Sequence, residues 1–315
     1  MVPSPEPMRV LAVYNPVAGS GRGERIATAL VSGLEGSPLP SGGCVSIHAE
    51  PSQPRPARAW LDPLLTDVEV LVVIGGDGAC RLAAPSAMRA GIPLYHYAAG
   101  TENLFSRDHG MQPEPKVLLR ALKQGTQRRV DVLRVEGELG LLFASVGFDA
   151  EVIHDLARHR SGSISHLSYT LPIIRQLLSW HRRRTSIEIE VDGTRLNGAA
   201  MGLGLIANSP QYALRVNPAL DARVDDGVLD VVGLPARTLV GLFLWALRCR
   251  FRRPGSPSRR LRARGRTIVL HLAQPANIQI DGDPPQAENP RSRYEIQIEP
   301  GALLVLRPPS ENRAE

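Results

Sequence analysis

The sequence predicts an α/β chain in two parts: a doubly wound parallel-sheet domain, then an antiparallel β-sandwich domain. Three observations predict this. Strand-like and helix-like segments alternate through the first part of the chain, as in βαβ units. The run Val68–Ile74 is apolar except at Glu69, as expected of a strand buried on both faces. From about residue 127 the pattern changes to short strands punctuated by turn signals. A length of 315 residues suits two domains of about 150 each, placed here at 8–126 and 127–306.

In order along the first part, Arg9–Tyr14 reads as a strand and Glu24–Leu34 as a helix. A Gly/Pro/Ser loop at 36–43 leads to a strand at Cys44–Ala49. A helix-like stretch, Ala57–Leu65, precedes the apolar strand Val68–Ile74, and a further helix leads to the strand Pro93–Tyr97. In the second part, strands are expected at Arg128–Val135, Leu139–Val146, Thr185–Val191, Ala199–Ala207 and Val228–Gly233. Others follow at Thr267–Leu272, Ala276–Ile280, Tyr294–Ile298 and Ala302–Leu306, with Asp192-Gly193 as a hairpin turn. Two helices interrupt them, at Ile164–Trp180 and Thr238–Phe251. No repeat recurs at solenoid or propeller periods.

Composition narrows the function classes. Hydrophobic residues at 43% and charged residues at 22% exclude a chain dominated by disorder. The formal net charge is +6, and Lys116 and Lys123 are the only lysines among 37 cations. A GC-rich coding sequence and binding of phosphate or anionic lipid would each enrich arginine in this way. Cys44, Cys80 and Cys249 are too few and too scattered for a disulfide framework or a zinc site, which points to a reducing cytosol. The opening MVPSPEPMRV lacks the basic-then-apolar pattern of a signal peptide. The most apolar stretch, Leu239–Leu247, is too short to span a bilayer. The eight histidines show no metal-ligand spacing. No nucleic-acid motif is present, and 4% aromatics are few for base stacking, so nucleic acid is not expected as a partner.

Three loops carry the chemistry. The strand Val68–Ile74 runs into Gly75-Gly76-Asp77-Gly78 and then a helical stretch. Glycines there let the backbone approach a ligand, a helix N-terminus attracts phosphate, and an aspartate is useful through the Mg²⁺ of a nucleotide. Asn15 ends the first strand ahead of Gly19, Gly21 and Gly23, and Gly100-Thr101-Glu102-Asn103 follows the fourth strand. All three loops fall on the carboxyl edge of the sheet, where ligands of such folds bind. A Walker GxxxxGK[ST] is absent, and so is a GxGxxG with its ribose-binding acid.

The segments YNPVAGSG, VVIGGDGA, AAGTENLFSR, SVGFDAEV, NPALDARVDDGVLDVV and IQIDGDP match, in order and spacing, the bacterial diacylglycerol kinase-like lipid kinases. The chain resembles that family, whose superfamily includes the sphingosine and ceramide kinases, from about residue 8 to 306. The resemblance implies a nucleotide-binding N-terminal domain, a lipid-side β-sandwich, and ATP and acceptor meeting between them. It implies that Gly75, Gly76, Asp77, Gly78 and Ala79 surround the ATP phosphates, with Thr101 and Asn15 on neighbouring loops; on chemical grounds a nearby arginine such as Arg22 is expected to hold phosphate oxygens. Asp283 falls where similar proteins carry a glutamate that accepts the proton of the lipid hydroxyl. A structural Mg²⁺ is implied at Asp226 and the carbonyls of Arg223 and Val228. The chain departs from the family pattern at Ala79, Arg81 and Leu82, where similar proteins carry Thr, Asn and Glu, and Pro85 should bend the helix.

The expected function is therefore transfer of the ATP γ-phosphate to a lipid hydroxyl, diacylglycerol-like or sphingoid, with ATP and Mg²⁺. The alternatives are a catalytically weakened regulator of the same family and a soluble NAD kinase-like enzyme. The stretch Thr238–Phe251 and the arginines at 248–266, with His181-Arg182-Arg183-Arg184, suggest a basic face on an anionic membrane. The reading places the protein in the cytoplasm, peripheral at the inner membrane face, with a homodimer left open.

Overall fold

A computed structural model describes residues 6–16, 21–159, 172–176, 185–198, 202–234, 238–251, 261–287 and 289–309. The chain forms two compact units, one of Met1–Val130 with Ala302–Glu315, the other of Asp131–Gly301.

In the first unit β1 (Met8–Tyr14), β2 (Val45–Pro51), β3 (Val70–Gly75) and β4 (Leu94–Ala98) are all parallel, in the order β2-β1-β3-β4. All six residues of β3 are buried, which explains its apolar run. Between the strands run α1 (Arg22–Leu34), the short α2 (Ala57–Trp60) and α3 (Asp77–Ala90); α4 (Leu104–Asp108) and α5 (Pro115–Gln124) follow. Helix α1 buries Gly23, Ala27, Leu30 and Leu34, one face at helical spacing. The expected helix 57–65 gives way at Leu61 to a 3₁₀ turn, Asp62–Leu65, where Pro63 has no N–H for the helical ladder. Helix α3 continues past Pro85 and ends at Gly91 with φ 67°, a left-handed cap.

The chain enters the second unit within β5 (Thr126–Val135). There follow β6 (Glu138–Gly140), β7 (Phe143–Gly147), α6 (Phe148–Arg158), β8 (Ile187–Val191), β9 (Thr194–Arg195) and β10 (Leu203–Ala207). Next come β11 (Leu229–Leu234), α7 (Leu239–Arg250), β12 (Leu261–Gly265), β13 (Thr267–Ala276), β14 (Ile278–Ile280) and β15 (Arg291–Arg307). One antiparallel sheet runs β12-β11-β10-β7-β14. The other places β13 antiparallel between β15 and β8. Val146, Ile206, Val231 and Ile280 of the first sheet share one core with Ile189, Leu270 and Ile296 of the second, which makes the unit a β-sandwich.

Several expectations need correction. The stretch Leu139–Val146 is two strands, because the amides of Leu141 and Leu142 bond to the Asp281 carboxylate rather than to a neighbouring strand. The expected strands 294–298 and 302–306 are a single strand, β15. Its end packs with the first unit, where Val305 pairs parallel with Leu94 of β4. Neither α6 nor β12 was expected: α6 begins directly after Gly147, and the alternation LRARG reads as a basic stretch. Of the expected helix 164–180 only 172–176 is described, and it is helical. Gly19, residues 181–184 and 199–201, and Arg252, Arg253, Arg259 and Arg260 lie outside the described residues.

Candidate functional site

In the first unit, β1, β3 and β4 are adjacent and parallel, so the loops that leave their carboxyl ends lie side by side. Gly76 precedes α3 without any side-chain cap, and Asp77, Gly78 and Ala79 are its first residues. Their N–H groups have no partner inside the helix, and the helix dipole adds positive potential there. This is the arrangement that holds phosphate oxygens.

The glycines of two loops are explained by their approach. A Cβ on Gly100 would stand 2.6 Å from the Gly76 Cα, and one on Gly75 would stand 2.7 Å from the Ala79 Cβ. Gly23 is required for a similar reason, since its Cβ would meet the Asn15 carbonyl oxygen at 2.7 Å. The loop after β4 clamps itself: Asn103, at φ 50°, accepts from the Gly100 N–H at 2.9 Å and donates to the Gly100 carbonyl at 2.8 Å. Thr101 is exposed on this loop, Asn15 is half-buried at the end of β1, and Arg22 is exposed at the start of α1.

Asp77 has a role the sequence did not disclose. Its two carboxylate oxygens accept from the N–H groups of Leu104 and Phe105, both at 2.9 Å, at the start of α4. The GGDG aspartate therefore ties its own loop to the one after β4 and caps the helix that follows. A carboxylate has about four lone-pair sites, so two remain for the Mg²⁺ of a nucleotide. Beneath the loops lies His96, fully buried, its Nε2 2.9 Å from the Gly75 carbonyl. A carbonyl only accepts, so Nε2 carries the proton, and burial holds the ring below the usual histidine range.

In the second unit, Asp283 follows a two-residue turn with Asp281 at φ 53° and Gly282 at φ 88°. Ile280 and Asp283 exchange backbone bonds of 2.9 and 3.0 Å across it. Asp281 is buried and structural: its carboxylate accepts from Leu141, Leu142 and Phe143 N–H groups at 2.6, 2.8 and 2.9 Å. Asp283 is half-buried. The turn is fixed from beneath by Gln279, whose Oε1 accepts from Gly282 N at 2.7 Å. The Gln279 amide donates to Ser145 Oγ at 2.5 Å, and Ser145 donates to Asp149, which also accepts from the Tyr212 hydroxyl at 2.5 Å. Burial pushes the Asp149 carboxyl up against the pull of these hydroxyls, and burial with Asp149 nearby holds Tyr212 well above its usual range. Ser145 and Asp149 lie in SVGFDAEV, and it is this network that gives those residues a role.

The DDG segment holds a cation of its own. Gly227, at φ 72°, donates to Asp131 at 2.7 Å, and Arg223 pairs with Asp225 at 3.6 Å. Asp226, expected to bind Mg²⁺, carries the Arg264 guanidinium, which also reaches Asp230 at 3.2 Å; Val228 N donates weakly to Asp226 at 3.4 Å. Among the described residues no group of three or more His, Cys, Asp or Glu could hold a metal. The Arg264 guanidinium thus competes with any divalent ion for the Asp226 carboxylate.

An α/β unit with glycine loops at the carboxyl edge of its sheet, followed by a β-sandwich unit, is the two-part plan of a class of kinases. Residues 9–135 match the diacylglycerol kinase catalytic domain, and residues 143–307 the YegS C-terminal NAD kinase beta sandwich-like domain. The "Probable lipid kinase YegS-like" of Pseudomonas aeruginosa is 30% identical over 258 residues, covering 78% of this chain and 79% of that protein. The diacylglycerol kinase of Bacillus subtilis is 26% identical over 238 residues, 73% and 75% of the two chains. The chain spans half the length of a Synechocystis relative, sll0036, that is 26% identical over 221 residues. A solved diacylglycerol kinase from Bacillus anthracis shares the fold with a TM-score of 0.67 at 17% identity, over 96% of this chain and 97% of that one. The chain belongs to the diacylglycerol kinase-like lipid kinase family.

Proposed function

We propose that this protein transfers the γ-phosphate of ATP to the hydroxyl of a lipid, diacylglycerol-like or sphingoid. The observation that carries the reading is the Asp77 tie, which holds two glycine loops together at the unpartnered start of α3. The N–H groups of Asp77, Gly78 and Ala79 would bind phosphate oxygens, with Thr101 and Asn15 on the flanking loops. Mg²⁺, held by the spare lone pairs of Asp77, would supply charge neutralisation on those oxygens. Asp283 would take the proton of the acceptor hydroxyl as the hydroxyl oxygen bonds to the γ-phosphorus and the bond to the ADP oxygen breaks. The products are ADP and a lipid phosphate monoester.

The test is a labelled-ATP assay against vesicles carrying diacylglycerol, monoacylglycerol, sphingosine, ceramide or phosphatidylglycerol. Asp283→Asn should cut the rate by roughly a hundredfold or more with ATP binding preserved. Asp283→Glu, the length found in similar proteins, should keep or raise it. An Asn variant as fast as the parent would remove Asp283 from the chemistry. A parent that binds ATP but phosphorylates no lipid would favour the regulator reading.

A further inference from the structure

We propose that α7 docks this protein on an anionic bilayer surface through an apolar stripe on its outer face. The helix is well started, with Thr238 Oγ1 accepting from Gly241 N at 3.1 Å. Its inner face is accounted for by Trp245 and Cys249, both buried. The outer face should then be polar, as on an ordinary surface helix. Instead it carries Val240, Phe243, Leu244, Leu247 and Phe251, exposed by 67, 66, 45, 43 and 65%. At about 100° per residue these five fall within a stripe roughly 100° wide, on the side away from Trp245 and Cys249.

The charges are placed to match. On the same projection, Arg248 and Arg250 flank the stripe, about 90° and 70° to either side of its centre line. Both are exposed, and neither has an ion pair among the described residues. Hydrocarbon in the middle with cations along both margins fits a membrane interface, where apolar side chains enter the acyl boundary and arginines reach the phosphates. The helix is 12 residues, so at 1.5 Å per residue it is about 18 Å long and lies in the interface plane rather than spanning it. No described helix is long and apolar enough to cross a membrane.

A second copy of the chain is the other candidate occupant, and two facts count against it. A single face about 18 Å by 10 Å is small beside the roughly 800 Å² that each partner gives a standard interface. The segment Thr238–Phe251 also contains no acidic residue, so two copies would bring arginines together without counter-charge. The inference deepens the lipid-kinase reading by naming the surface that would present the protein to its acceptor, and it rests on that reading only for its purpose.

The test is co-sedimentation of the full chain with vesicles of equal parts phosphatidylglycerol and phosphatidylcholine, and with phosphatidylcholine alone. The parent should prefer the anionic vesicles by about tenfold or more, on the scale of about 1 kcal/mol per surface arginine, and salt should weaken the preference. Phe243→Ser with Leu247→Ser should lower binding to both vesicles at an unchanged melting temperature, since both side chains are exposed. Arg248→Gln with Arg250→Gln should remove the anionic preference alone. Because binding is read without turnover, a parent that binds vesicles through α7 but phosphorylates no lipid would leave docking intact and sink the kinase reading. A parent that ignores both vesicles, or binds them equally well after both double substitutions, overturns the docking. So does a dimer in analytical ultracentrifugation that Phe243→Ser with Leu247→Ser dissolves.

Discussion

At the residue scale, Asp77 shows how a recognised motif residue acquires a second role in the fold. Its carboxylate is the connection between the loop after β3 and the start of α4. Removing it leaves two N–H groups without their charged acceptor, and hydrogen bonds to charged groups are worth about 1.5–3 kcal/mol each. Asp77→Ala should therefore lower the melting temperature by several degrees and weaken ATP binding both with and without Mg²⁺. Calorimetry in the two conditions checks this: a loss confined to the Mg²⁺-containing titration would make Asp77 a metal ligand alone. The sequence supplied the residue type and its place after a buried strand. It could not show that the partner amides lie 27 and 28 positions on, because only the adjacency of β3 and β4 brings them together. The same holds for Gln279, which reads as one more strand residue until the turn carrying Asp283 is seen resting on it.

At the element scale, β12 changes the reading of the DDG segment. Arg264 reaches from β12 to its cross-strand partner Asp230 on β11 and to Asp226 just ahead of that strand. Burial raises the Asp230 carboxyl, and Arg264 pulls it back down. The parent should thus melt at nearly the same temperature in Mg²⁺ and in a chelator. Arg264→Ala leaves two carboxylates facing each other, so it should melt lower in chelator and recover in millimolar Mg²⁺. A parent stabilised by Mg²⁺ as strongly as the variant would place the ion at Asp226. Alternating Leu261, Ala263 and Arg262, Arg264 is a half-buried strand pattern, but five residues amid arginines are too few for periodicity to stand out. Helix α7 was legible as an element, whereas the side it turns outward was not.

At the scale of the whole molecule, the first unit should be acid-sensitive for a reason outside its carboxylates. His109 is fully buried against Phe105, its ring nitrogens have no hydrogen-bond partner, and burial, with Arg307 and Arg128 nearby, pushes its pKa down to about 3. Between that value and the ordinary one near 6.5, the unfolded chain takes a proton that the folded one refuses. Stability is therefore complete above about pH 6.5 and falls toward pH 3 by about 1.4 kcal/mol per pH unit; buried His96 acts in the same direction. Urea melts across about pH 6 to 4 should show a shallower slope for His109→Phe than for the parent, and equal slopes would mean that the folded ring is protonated. The sequence by itself determined the class of each part, because hydrophobic period and glycine-bounded loops are local properties. It also determined where the glycine loops lie, since parallel strands put their ends on one edge. Only the tertiary structure decided that residues 302–307 return to β4, that Arg264 lies on the DDG acid, and that α7 turns an apolar face outward. Strand partners, ion pairs and exposed faces join residues distant in the chain, and no local pattern encodes those distances.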